Sequence, residues 1–306
     1  MSEERLPLVT VLTPTFNRAE TLPRLYRSLL EQDSTDFEWL VIDDGSSDAT
    51  GELVAGWIAE APFPIRYRYQ ENGGKHVALN RGVDSARGRF VAVIDSDDWY
   101  LPSALGRLVA IWDSIPAEQR NGFAEVQGLG ATPDGKLLGQ LPMDVIDTNS
   151  VEIRSRYGVT GDTQGMLRTE VMREFPFPED LGRFVSEGIV WNRMARKYRS
   201  RYTNEVIAVK EYQPDGLTAS GRIRNIRASR ASLVYYSEYL AGGWSLPPRV
   251  ALQTYANYVR HALHERVGPA RQLAGVPSRA WWSVAAPIGL ALYLRDRREL
   301  RRQPLA

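Results

Sequence analysis

The apolar positions in the first third of the chain switch between two periods. Residues 8–12 form a short β-rich run, broken by Thr13-Pro14-Thr15-Phe16-Asn17. Leucines at 22, 25, 29 and 30 then recur at helical spacing and predict a helix over 20–32. Residues 37–42 are strand-like and stop at Asp43-Asp44-Gly45-Ser46-Ser47-Asp48. Ser47 or Asp48 is placed to cap the next helix, which runs to about residue 60. Residues 64–69 alternate in period two, and Gly73-Gly74 opens a helix carrying Val77, Leu79 and Val83. Residues 89–94 are a continuous β-branched and apolar run, the pattern of a strand buried on both faces. It ends in Asp95-Ser96-Asp97-Asp98. This alternation predicts an α/β fold with a mostly parallel sheet flanked by helices. The polar clusters fall at strand ends, where such sheets hold ligands.

Downstream the pattern is mixed. Strands are expected at 137–141 and 206–212, a helix over 185–198, and another from near Thr169. Gln213-Pro214-Asp215-Gly216 reads as a turn. After residue 220 the chain becomes helical and basic, with Arg222, Arg224, Arg227 and Arg230, and two further helical patterns follow from about residue 247. The organisation expected is a domain over 1–220, with a nucleotide-binding half to about 115 and an acceptor half over 116–220. A helical appendage over 221–306 follows.

Composition narrows the chemistry. With 43% hydrophobic and 25% charged residues, the 306-residue chain is globular. A net charge of +1 provides no field to recruit nucleic acid, so no nucleic-acid partner is expected. The absence of cysteine excludes disulfides, thiolate metal sites and Cys nucleophiles, and 3 histidines argue against a His-rich zinc site. The apolar stretch over 280–294 falls short of the roughly 20 residues of a spanning helix. The acidic start lacks the features of a signal peptide. A cytoplasmic location is expected. The tail has Trp281 and Trp282 at one end and five arginines over 295–302 at the other. It reads either as an interfacial anchor on the inner face of the plasma membrane through 280–302, or as a helix packed on the domain or a second subunit. Pro287 and Gly289 are expected to interrupt it.

Asp95-Ser96-Asp97-Asp98 places three acids within four residues, which repel unless a positive partner neutralises them. Such oxygen ligands suit Mn²⁺ or Mg²⁺. The alternative is that Asp97 or Asp98 caps the helix beginning near Pro102. Asp43-Asp44 is either an ordinary turn or an acid aimed at a nucleobase or ribose. Asn72-Gly73-Gly74-Lys75-His76 could present backbone N–H groups and Lys75 to phosphate.

In order, VLTPTFNR (11–18), VIDDGSSD (41–48), ENGGKHVALNRGV (71–83), ARGRFVAVIDSDDW (86–99) and FVSEGIVWNRMA (184–195) resemble the family 2 glycosyltransferases. The resemblance covers roughly residues 6–215 and implies a GT-A fold. It implies an inverting transfer from a nucleotide-diphosphate sugar, UDP-sugars first, to an acceptor hydroxyl on a glycan, a lipid-linked carrier or a small molecule. By position, Pro14, Thr15, Phe16 and Asp44 would receive the nucleoside and Lys75 would line the cleft. Asp95 and Ser96 would lie near ribose and sugar, Asp97 would ligate the metal, and Asp98 extends the motif. Phe16 stands where Tyr is common. Family members carry Glu-Asp before a helix, Asp being the base, with Arg six residues on; here Ser186-Glu187 and Arg193 hold that register. Glu187 is therefore the expected general base, with Asp180 as rival. Asp162 is either a sugar- or acceptor-side residue or a turn residue. Trp99 and Trp191 are either sugar platforms or packing residues. The basic stretch after 220 either closes over the diphosphate or is a solvated helix face. Two other classes compete: a sugar-phosphate nucleotidyltransferase, and a non-catalytic nucleotide-sugar-binding module.

Overall fold

The computed structural model describes residues 5–211 and 221–302. Strand β1 (Val9–Thr15) lies at the centre of a parallel half-sheet and pairs with β2 (Phe37–Asp43) and β4 (Phe90–Val93), while β3 (Ile65–Tyr69) pairs with β2. The connecting helices are α1 (Leu22–Leu30), α2 (Thr50–Glu60) and α3 (Lys75–Ser85). β1 runs through Pro14, where the sequence suggested a break. Proline is tolerated because β1 pairs with β4 only as far as Leu12, so its end is one-sided.

Alternation along these strands divides the core between the two faces of the sheet. Val9, Val11, Trp39 and Val41 pack with Leu22, Leu25 and Leu29 of α1, spaced to share one helix face. Tyr26 stacks on Trp57 at 4.5 Å, closing that side. Leu12, Leu40, Ile42 and Val91 pack with Ala78, Leu79 and Val83 of α3. Asp48 does not sit at the N-cap of α2, which is Ala49; it accepts from the Thr50 N–H and the Ala19 N–H and so pins the preceding loop.

The second half begins with β5 (Trp99–Tyr100), α4 (Ala104–Asp113) and a 3₁₀ turn (Ala117–Gly122). β6 (Phe123–Ala131), β7 (Val145–Thr148), α5 (Glu152–Ser155), β8 (Thr163–Arg168), α6 (Thr169–Glu174), α7 (Gly188–Met194) and β9 (Arg199–Val209) follow. The strand order is β3-β2-β1-β4-β8-β6-β9-β5, with β7 on β9. The sheet is parallel in its first half and mixed in its second, where β8 is antiparallel to both β4 and β6. The strand expected over 137–141 reduces to one bridge between Ala131 and Leu137. The helix expected over 185–198 shortens to α7. The strand expected over 206–212 starts earlier, as β9, and its last residue lies outside the described segments, as does the 213–216 turn.

The C-terminal helices are α8 (Gly221–Arg227), α9 (Ser229–Ala241), α10 (Pro248–His264), α11 (Pro269–Ala274) and α12 (Arg279–Arg302). The tail is one continuous helix despite Pro287 and Gly289. At Gly289 α12 packs tightly on α10: a Cβ there would lie 2.7 Å from the Ala256 carbonyl oxygen and 2.6 Å from Val259 Cβ. Arg260 of α10 forks onto Asp296 at 2.5 and 2.8 Å, and His264 lies 3.1 Å from the same carboxylate, which is fully buried. α9 joins this bundle to the sheet half, because Glu238 pairs with Arg193 at 3.1 Å and Arg196 at 2.8 Å.

Candidate active site

The carboxyl ends of β1, β2 and β4 open into a cleft of about 730 Å³. At the first end, Pro14, Thr15 and Phe16 line one wall. The Thr15 hydroxyl is buried without a partner among the described residues, and Phe16 is 46% exposed, a ring face available for stacking. Asn17 ties this loop to the next: its N–H donates to Ser46 Oγ and its Oδ1 accepts from the Ser47 N–H, each at 2.8 Å.

At the second end the two adjacent acids have different tasks. Asp43 is structural, accepting from the Ser46 N–H and the Tyr67 hydroxyl, both at 2.7 Å. Asp44 lines the cleft and holds the glycine loop, accepting from Gln70 Nε2, the Gly73 N–H and the Gly74 N–H at 2.8 Å each. Of about four acceptor positions on a carboxylate, one remains. Gly74 has φ +99°, and a Cβ there would meet the Arg183 carbonyl oxygen at 2.4 Å, so only glycine fits. The loop delivers Lys75 into the cleft. Lys75 Nζ bridges Asp95 Oδ1 at 2.5 Å and Glu187 Oε1 at 2.8 Å. Burial opposes its charge, yet the two carboxylates outweigh that effect and hold Lys75 above the usual lysine range.

At the third end, ligand oxygens of Asp95, Asp97 and Asp98 lie within 4.8 Å of one another. Burial pushes Asp95 up, but Lys75 and Lys210 outweigh it and keep the group ionised below the ordinary range. Burial, and then neighbouring Asp95, pushes Asp97 up. Asp98 is pushed up to about 6 by burial, against the pull of Lys210 at 2.9 Å. Neither Asp97 nor Asp98 caps α4, whose N-cap is Ser103; Asp98 instead accepts from Lys210 and the Glu211 N–H. Asp97 makes no ion pair among the described residues. A hard cation fits this set, because it would relieve the two acids whose charge the site disfavours. Ser96, beside them, is 6% exposed and lines the same cleft.

Opposite, Glu187 occupies the N-cap of α7 and reaches into the cleft. Asp180 does not line it; that carboxylate is exposed and pairs with Arg230 at 3.1 Å. Arg193 also lies away from the cleft, turned to Glu238. Asp162 lines the cleft and Trp191 does not; Trp191 lines a second cavity. Trp99 lines neither and lies under Arg24 at 4.8 Å. Among the arginines after residue 220, Arg224 lines the cleft and lies 3.8 Å over Phe184, Arg230 is an outer ion-pair partner, and the Arg222 side chain lies outside the described set.

Arg18, Lys210 and His76 are among the cleft residues that carried no assignment from the sequence. Arg18 closes the motif after Phe16. Lys210 is a charge at the end of the β9 apolar run 206–209, and that position was its one available signal. His76 has both ring nitrogens buried without partners among the described residues, and burial lowers its pKa, which favours the neutral ring.

Residues 10–129, which hold the first three strand ends, match the profile of glycosyl transferase family 2. That segment is a family 2 glycosyltransferase domain. The chain is 34% identical over 205 residues to the uncharacterized glycosyltransferase YibD of Escherichia coli (strain K12), covering 64% of this chain and 59% of that one. The chain spans about a third or less of the length of most of the curated relatives it matches. Among solved structures, S. aureus TarS 1-349 in complex with UDP-GlcNAc superposes with TM-score 0.61 at 18% identity, over 96% of this chain and 91% of that chain. Mannosyltransferase PcManGT from Pyrobaculum calidifontis in complex with GDP-Man and Mn²⁺ superposes with TM-score 0.57 at 18% identity, over 97% and 88%. The family 2 domain and the helices behind it thus share the GT-A fold of these neighbours.

Proposed function

We propose that the protein is a metal-dependent, inverting glycosyltransferase that moves a sugar from a nucleotide-diphosphate sugar, with UDP as the preferred nucleotide, to an acceptor hydroxyl. One observation carries the reading: the Asp95/Asp97/Asp98 cluster and Glu187 line a single cleft, with Lys75 bridging between Asp95 and Glu187. Phe16 offers a face for the base, Thr15 a hydroxyl without a partner among the described residues, and Asp44 its remaining acceptor site for an imide or ribose group, with Pro14 shaping the wall. Ser96 and Asp95 lie beside the ribose and the sugar, and Lys75 faces the phosphates. Asp97, with Asp98 behind it, would hold Mn²⁺ or Mg²⁺, which supplies charge neutralisation for the departing diphosphate. Glu187 takes the proton from the acceptor hydroxyl as it attacks the anomeric carbon from the face opposite the leaving group. The nucleotide sugars bound by the structural neighbours, and the manganese in one of them, support this assignment.

The test is a panel of UDP- and GDP-sugars with and without Mn²⁺. A UDP-sugar is expected to raise the melting temperature and to release free UDP slowly, with both effects removed by EDTA. Release of pyrophosphate from a nucleoside triphosphate and a sugar phosphate would instead identify a nucleotidyltransferase. Binding with no turnover would identify a binding module.

The family 2 domain is also proposed to work at the inner face of the plasma membrane. No helix among the described residues is long and apolar enough to cross a membrane. α12, however, exposes Val284 (62%), Ile288 (43%) and Leu294 (45%) along one side, continuing into the exposed arginines Arg298 and Arg302. An apolar stripe ending in positive charge suits an anionic lipid surface. Co-sedimentation with phosphatidylglycerol vesicles is expected and should weaken with salt. Val284→Asp combined with Ile288→Asp should abolish it; binding equal to wild type would remove this assignment.

A further inference from the structure

Behind the donor cleft lies a second cavity of about 580 Å³, between the sheet half and the C-terminal helices. The two share a wall: Lys75, Asp95 and Glu187 line both. Glu187 therefore has donor space on one side and this chamber on the other. The glycine after it makes the junction possible. A Cβ on Gly188 would lie 2.5 Å from the ring of Tyr235, so α9 approaches within one residue of Glu187 because residue 188 has no side chain.

The chamber carries polar groups that lack partners. Asn192, on α7, is 3% exposed, and its Nδ2 has no acceptor among the described residues. Gln127 Nε2 donates to Glu125 at 2.7 Å, and its buried Oε1 has no donor among the described residues. Buried amides left in this state are costly unless something else completes them. One is a donor and the other an acceptor, the pair that a hydroxyl satisfies from both sides. Facing them, α9 and α10 contribute Tyr239, Gln253, Thr254 and Asn257, all uncharged. Deeper in the chamber Glu125 accepts from Ser200 at 2.7 Å and from Gln127, Lys210 pairs with Asp98, and Arg154, at the exposed side, donates Nη1 to the Gly161 carbonyl at 2.5 Å and pairs with no carboxylate among the described residues.

Resting on the donor-site reading above, we propose that this chamber is the acceptor site and that it takes a neutral saccharide, its hydroxyls bridging the amides of Asn192 and Gln127 while the reacting hydroxyl meets Glu187. The wall that selects the acceptor is then supplied by α9 and α10, outside the segment matched by the family profile. Amide and phenol groups suit sugar hydroxyls, whereas a carboxylate or phosphate on the acceptor would find no uncommitted cation on the α9–α10 wall.

The absence of cysteine permits a direct test. Asn257→Cys is made, treated with a bulky maleimide, and compared with maleimide-treated wild type. Tyr239→Phe and Gln253→Ala are made in parallel. Methyl glycosides and neutral oligosaccharides are offered as acceptors beside uronides and glycoside phosphates, with UDP-sugar and Mn²⁺. Transfer to neutral glycosides is expected. The labelled variant should lose it, and the other two should raise the acceptor KM by about tenfold, the worth of one hydrogen bond, with the donor KM unchanged. Preference for anionic acceptors, no use of any neutral glycoside, or an unchanged acceptor KM in all three variants overturns the proposal. Failure of wild type to bind any UDP-sugar would instead overturn the donor reading.

Discussion

Asp97→Ala is expected to lower sugar transfer by about 10³-fold, the scale of losing a group that stabilises charge developing on the leaving oxygen. Its decisive feature is the accompanying stability. Burial and Asp95 disfavour ionised Asp97 and outweigh the pull of Arg18 and Lys75, neither of which forms an ion pair with it among the described residues. Removing the carboxylate takes away a net electrostatic cost and, of hydrogen bonds, only the one to its own backbone N–H. The melting temperature without metal should therefore stay level or rise while activity collapses. Thermal unfolding and UDP release, each measured across a Mn²⁺ titration, check both halves. Wild-type should gain stability with Mn²⁺ plus UDP, and the variant should not. Metal-stimulated turnover at the wild-type rate in Asp97→Ala would remove the metal assignment.

Glu187→Gln is expected to lower transfer by about 10²–10⁴-fold, the usual worth of a positioned general base. The amide oxygen can still accept from Lys75 and the side chain keeps its place ahead of α7, so the geometry survives while the proton acceptor is lost. Calorimetry should show donor affinity retained. Asp180→Asn, by contrast, should turn over as wild type does, since that carboxylate lies outside the cleft and pairs only with Arg230 among the described residues. The opposite outcome, with Asp180→Asn inactive and Glu187→Gln active, would exchange the two roles.

What could be read from the chain follows from where burial is two-sided. β1, β2 and β4 are covered on both faces, so their apolar runs are continuous, and their ends are marked by Thr15, Asp44 and Asp95. Those marks became one wall of the cleft. β6 was not legible for the converse reason. Its Glu125 and Gln127 point into a chamber, and Gly128 and Gly130 replace apolar side chains where neighbours approach. A central strand that lines a cavity has no apolar signature. The strand expected at 137–141 had leucines but no partner beyond one bridge. Asp44 was readable as a site residue, whereas its hold on the Gly73–Gly74 loop depends on a fold that brings residues almost thirty apart together. Lys210 is similar: a single lysine gains meaning only beside Asp98.

The Arg260–Asp296 fork has a practical implication for anyone shortening the protein. Ending the chain ahead of residue 296 would strand a guanidinium that is 11% exposed, at a cost of about 3–5 kcal/mol when a buried pair loses one member. α10, which carries that arginine, also presents Gln253 and Asn257 to the chamber. The last helix is therefore a keystone and not a detachable tether, and trimming it for solubility would unsettle a wall two helices away.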